Sequence, residues 1–130
     1  MSVRLILDTS ALMAYLAADT RAVELGELIA NVEENGDTCG VPALCVIAAY
    51  QQTQPDLRRT LLELTGGDDG PTVMLPVLAT DVGHVADLVA TLPYDLAYAA
   101  SAAAKHDALL GTYQRDAYGD ALDHEEILDL

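Results

Sequence analysis

The sequence contains no tryptophan and no phenylalanine, and only 6 of its 130 residues are lysine or arginine. Without the largest apolar rings, a core has to be assembled from Ala, Leu, Val and Ile, with six Tyr as the only large rings. No basic residue occurs between Arg59 and Lys105. The chain therefore lacks the basic face that coats nucleic acid non-specifically, because neutralising phosphates takes clustered cations. Any nucleic-acid activity would need a small basic spot or a bound metal. Against the 6 bases stand 21 Asp and Glu, a formal net charge of −15. The plain reading of most of these acids is that they keep an apolar-rich chain solvated.

Cysteine is scarce too. Cys39 and Cys45 have neither a metal-finger nor a redox spacing, and no His lies beside them. Cys45 sits in an apolar run and reads as a small hydrophobe. No window offers the roughly 18 consecutive apolar residues of a membrane span. The apolar start is interrupted by Asp8 and is too short for a signal peptide, so a cytoplasmic location is expected. A hydrophobic content of 52% excludes a disordered acidic tail. At 130 residues the expectation is one domain over 1–130, large enough to be stable without a disulfide or a metal.

Strand and helix signals alternate along the chain. The branched run VRLIL at 3–7 suits a buried strand, and Asp8, Thr9 and Ser10 after it are all good helix caps. Helices are expected over 11–18 and 20–34, the second with a stripe of Leu25, Leu28, Ile29 and Val32. A strand at 38–41 leads through Pro42 into a helix over 42–52. A helix at 56–65, a Gly/Asp-rich loop at 66–71 and a strand at 72–75 follow. Pro93 separates helices over 80–92 and 94–106, after which come a strand at 108–111 and an edge strand at 127–130. This order predicts an α/β fold, with a central parallel sheet between helical layers. In such sheets ligands bind beyond the carboxyl ends of the strands, so the polar residues just after strands carry the functional question.

Asp8 directly follows the first strand, Asp95 opens an Ala-rich helix, and Asp116 follows the strand at 108–111. With the first and fourth strands adjacent, the three acids can converge on one cleft, where a cation must offset their repulsion. Hard oxygen ligands of this kind suit Mg²⁺ or Mn²⁺. Each acid also has a structural reading: a cap for Asp8, a first-turn partner of the helix dipole for Asp95, a turn residue for Asp116.

The stretch Leu5-Ile6-Leu7-Asp8-Thr9-Ser10-Ala11-Leu12 resembles the opening motif of PIN domains, the metal-dependent ribonuclease fold of VapC-type toxins. Val41-Pro42-Ala43-Leu44 is similar to the start of that family's next marked helix. The helix from Tyr94-Asp95 resembles the one carrying its third acid, and Gly111-Thr112-Tyr113 its strand-end threonine. The ordered set covers nearly the whole chain and implies a three-layer α/β/α PIN-like domain. It further implies the endoribonuclease of a type II toxin–antitoxin pair, in which water attacks an RNA phosphodiester with Mg²⁺ or Mn²⁺. Asp8 and Asp95 would be direct metal ligands and Asp116 a weaker or water-mediated one. Thr9 or Ser10 would place a metal-bound water, with Thr112 supporting. A homodimer and a small antitoxin protein are the implied partners.

The chain departs from the family at two places. The second acid falls on Ala48, with Ala49 beside it, and no acid occurs between Asp37 and Asp56. The fourth falls on Gln114, two residues before Asp116. Gln51 and Gln52, a turn beyond Ala48, read as solvated surface. Two functions therefore stand: the endoribonuclease, with activity weakened, or a decayed PIN-like domain acting as a protein-binding module. A flavodoxin-like domain would need a phosphate-binding glycine loop after the first strand, and Asp8-Thr9-Ser10-Ala11 lacks one. His84, His106 and His124 make no nucleophile–base pattern, and His84 reads as pairing with Asp81 and Asp87. Arg58 and Arg59 read as a solvated helix face. The small residues of the helix at 94–106 allow close packing, and Tyr98 and Tyr50 read as packing residues with dimer contact as the other role.

Overall fold

A computed structural model describes residues 2–66 and 70–130. The elements are β1 (Val3–Leu7), α1 (Thr9–Leu16), α2 (Thr20–Glu34), β2 (Thr38–Pro42), α3 (Ala43–Gln52), α4 (Arg58–Thr65), β3 (Val73–Leu75), α5 (Val82–Leu88), α6 (Tyr94–His106), β4 (Leu109–Thr112) and β5 (Ile127–Asp129). Short 3₁₀ turns cover Pro55–Leu57, Ala79–Asp81, Arg115–Tyr118 and His124–Glu126. The sheet order is β3-β2-β1-β4-β5, parallel throughout. Helices flank the sheet, giving the α/β class with the three-layer arrangement expected from the alternation.

The first strand lies at the centre because Leu5, Ile6 and Leu7 are apolar on both faces and all buried. It pairs with β2 on one side and β4 on the other. The ladder to β4 runs on past the strand, where the Asp8 N–H donates to the Gly111 carbonyl at 3.4 Å. Helix α6 lies against β1 and β2, and every residue from Leu96 to Ala103 is buried. Its alanines let its backbone approach closely, which offsets the missing large rings. At Gly40, in β2, a Cβ would stand 2.8 Å from Leu75 Cδ1 across the strand pair.

Several boundaries differ from those expected, for local reasons. The helix expected at 56–65 opens with the 3₁₀ turn at Pro55, and α4 proper starts at Arg58. The helix expected over 80–92 is a 3₁₀ turn plus the short α5. Pro93 disfavours helical backbone at Leu92, so 89–92 becomes turns. Thr72 stays outside β3 because its hydroxyl donates to the Leu64 carbonyl at the end of α4, 2.8 Å away. Strand β4 runs one residue later than expected, through Thr112. Of the loop expected at 66–71, residues 67–69 lie outside the described residues. No helix among the described residues is long and apolar enough to cross a membrane.

Candidate functional site

Where β1 and β4 end side by side, Asp8 turns the chain into α1 and caps it, accepting the Ala11 N–H at 3.1 Å. The same oxygen, Oδ1, accepts the Ser10 hydroxyl at 2.6 Å. The other, Oδ2, accepts Thr112 Oγ1 at 2.6 Å and the Tyr118 phenol at 2.6 Å. The direction of these bonds is set by the carboxylate, which only accepts, and the two hydroxyls also take backbone amides. Ser10 Oγ already accepts the Tyr113 N–H at 3.0 Å, and Thr112 Oγ1 accepts the Gln114 N–H at 2.9 Å. Each hydroxyl has one proton and gives it to Asp8. A carboxylate offers about four lone-pair sites, and at Asp8 four donors fill them. The side chain has no solvent exposure. Burial first, and the adjacent Asp8 carboxylate second, push the Tyr118 phenol far above its ordinary value, so it stays a donor.

Asp95 reaches the same region from the first turn of α6. Its Oδ2 accepts the Thr9 hydroxyl at 2.5 Å, so the residue next to Asp8 ties the two acids together. The Cys45 thiol donates to the Asp95 carbonyl oxygen at 3.3 Å, fixing α3 against the start of α6. Burial pushes the Cys45 thiol up strongly, which keeps it a protonated packing residue, as the sequence suggested. In front of this layer lies a concavity of about 640 Å³, lined by Thr9, Ser10, Arg21, Gln52, Asp95 and Gln114 among others. Arg21 is held there by Asp19, at 2.9 Å, and lies over the Tyr113 ring at 5.6 Å. Gln52 is exposed, as read from the sequence, but it faces this concavity together with Asp95.

Asp8, Asp95, Thr9, Ser10 and Thr112 thus come together, and Asp116 does not join them. Asp116 is exposed and lines a separate concavity with Arg115, Gly119, Asp120 and His124. The 3₁₀ turn carries the Tyr118 side chain inward in its place. Ala48, half-buried on α3, brings no ligand atom. Among the described residues no three His, Cys, Asp or Glu side chains are grouped to hold a metal ion. Mg²⁺ demands free oxygen lone pairs in near-octahedral geometry. With Asp8 filled by four donors and Asp95 engaged by Thr9, the residues present do not fit an ion shared by three carboxylates.

Sequence reasoning passed over Tyr118 and Arg21, and named Tyr113 only as the neighbour of the strand-end threonine. For Tyr118 a signal exists: it is a lone large ring in a polar stretch, the pattern of a buried anchor. Elsewhere, His84 Nδ1 pairs with Ser101 Oγ at 3.0 Å instead of with its helical acids, and buried Asp81 takes Lys105 at 3.1 Å. Arg58 is not simply solvated: it lies over the Tyr50 ring at 4.5 Å and donates to that residue's carbonyl, while Arg59 pairs with Glu63. Tyr98 is buried, and its hydroxyl donates to the Pro76 carbonyl.

Fold and site together define a parallel α/β domain with a hydroxyl-lined acidic site beyond the ends of its two central strands. Compared with known proteins, the chain matches no family model and no curated relative.

Proposed function

We propose that this chain is a PIN-like domain, related to the toxins of type II toxin–antitoxin pairs, that works as a protein-binding module rather than as a ribonuclease. One observation carries this reading: both oxygens of Asp8, the residue on which metal-dependent chemistry would centre, are consumed by four internal donors. The alanine at position 48 supports it, because affinity for a divalent ion follows the charge of the ligand set. An association surface is available at the sheet edge. Val73 and Met74 on β3, then Val77, Leu78 and Val82, expose large apolar side chains. Edge strands and exposed apolar patches both favour pairing with another chain.

The second reading is the Mg²⁺- or Mn²⁺-dependent endoribonuclease, acting on RNA as a homodimer under control of a small antitoxin. It is favoured by Asp95, which lines an open concavity and is bonded by Thr9, the residue after Asp8. RNA cleavage by the purified protein separates the two. The binding reading expects no cleavage with millimolar Mn²⁺ in the wild type or in Asp8→Asn, and cleavage gained at most in Ala48→Glu. Mn²⁺-dependent cleavage by the wild type that disappears in both Asp8→Asn and Asp95→Asn overturns it.

A further inference from the structure

We infer that Asn35-Gly36 is a deamidation site, held shut by the last turn of α2 and released when that turn opens. The inference is independent of the function proposed for the domain. Asparagine occurs at two positions, Asn31 and Asn35, and both are exposed. Their surroundings differ in what the chemistry needs. Deamidation starts when the backbone nitrogen of the next residue attacks the side-chain carbonyl carbon. It therefore takes an unhindered next residue and a backbone free to turn. Asn31 lies inside α2 and is followed by the branched Val32, so it meets neither condition. Asn35 caps the helix and is followed by Gly36, whose φ of 79° favours a residue without a Cβ. Nothing stands within 4 Å of where that Cβ would be, so the nitrogen is open to one side.

The closed turn holds the reaction back. At ψ 4° the Gly36 nitrogen eclipses the backbone nitrogen of Asn35 and is turned away from its side chain. The Gly36 N–H donates to the Glu33 carbonyl at 2.9 Å, and the Asp37 N–H to the Val32 carbonyl at 3.1 Å. Attack waits for these bonds to open, and helix ends open at low free-energy cost. In the opened turn the Gly36 nitrogen gives its proton to water and bonds to Asn35 Cγ. The Cγ–Nδ2 bond breaks, and the amide nitrogen takes a proton from water and leaves as ammonia. Water then opens the cyclic imide at either carbonyl, giving aspartate or, where the backbone bond is the one broken, isoaspartate. The sum is one water consumed and one ammonia released. The new carboxylate arrives at the carbonyl end of α2, next in sequence to Glu33, Glu34 and Asp37, where the helix dipole disfavours negative charge. Isoaspartate also lengthens the main chain just before β2, where the Thr38 N–H donates to the Ser2 carbonyl at 2.9 Å.

The test is peptide mapping by mass spectrometry of the folded full chain, aged for weeks in warm, mildly alkaline buffer. An amide-to-acid mass gain is expected at position 35, divided between aspartate and isoaspartate. It is expected at least about tenfold faster than at Asn31, because helix ends open more readily than helix interiors. The gain is expected to vanish in Asn35→Gln and to quicken in urea below the unfolding transition. No gain at position 35 in the folded chain, equal rates at both asparagines, or a rate unmoved by that urea overturns the inference. Asn35→Asp is expected to melt below the wild type, and an equal or higher melting temperature overturns the consequence drawn for α2.

Discussion

At Asp8, trading the carboxylate for a methyl group would leave the buried Thr112 and Tyr118 hydroxyls without their acceptor, and α1 without its cap. Each orphaned buried donor costs about 1–3 kcal/mol and a lost cap about 1 kcal/mol. Asp8→Ala is therefore expected to lose at least about 3 kcal/mol in urea denaturation. Asp8→Asn loses less, since the hydroxyls keep a spare lone pair for the new amide protons. Asp8, Thr9 and Ser10 were readable in the sequence because they directly follow a strand, where parallel sheets collect polar groups, while Asp95 was read as the opening acid of an Ala-rich helix and Thr112 from the resemblance. What was not readable was their state. Residue types at the right positions did not reveal that every lone pair of Asp8 is taken, because the deciding donor, Tyr118, arrives through an irregular turn with no periodicity to mark it. Asp116 was expected at the cleft for the same reason: the turn's direction is set by the Gly119 backbone, not by a pattern.

Among the elements, α6 shows what the absence of large rings demands. Ala97 and Ala99 have no exposure, and the helix sits against the central strands with no room to spare. Ala99→Leu is expected to cost about 1–3 kcal/mol through overpacking, measured by thermal unfolding. Gly119→Ala is expected to cost about 1 kcal/mol or more, because the strain falls on the backbone. The sheet and most helices were legible in the sequence, since apolar runs and caps alternate cleanly from Val3 to Glu34 and again from Tyr94 to Thr112. Residues 53–93 were read less well. There the elements are short, proline sets their ends, and a side chain such as Thr72 decides a boundary by bonding to a helix terminus.

For the whole molecule, 21 acids against 6 bases make self-repulsion a standing cost that salt screens. The melting temperature is expected to rise as NaCl is raised from low to physiological ionic strength, and the protein is expected to pass through a heparin column unretained. Stability also has two pH limits. Backbone donation from Leu78 and the Lys105 ammonium hold the Asp81 carboxyl below its ordinary value of 3.8, so its contribution is present above that pH and is lost as pH falls below it. Burial pushes the Cys39 thiol from 9.0 up to about 12 and the Tyr98 phenol from 10.0 up to about 12. The unfolded chain ionises first, so stability holds below about pH 9 and declines toward about 12. Denaturant midpoints across the range check both limbs, and thiol reagents are expected to label Cys39 and Cys45 only after unfolding.

The bonds gathered on Asp8 also set an order of assembly. They join the first strand to residues more than a hundred positions later in the chain. The central strand is made before β4, and the carboxylate that follows it stays exposed until β4 and the turn after it have been made. Closing so long a loop comes late in folding. Thr112→Val is thus expected to speed unfolding while leaving the refolding rate nearly unchanged in stopped-flow measurements. Asp8 is thus shut away from water only once β4 and the turn carrying Tyr118 have joined the sheet.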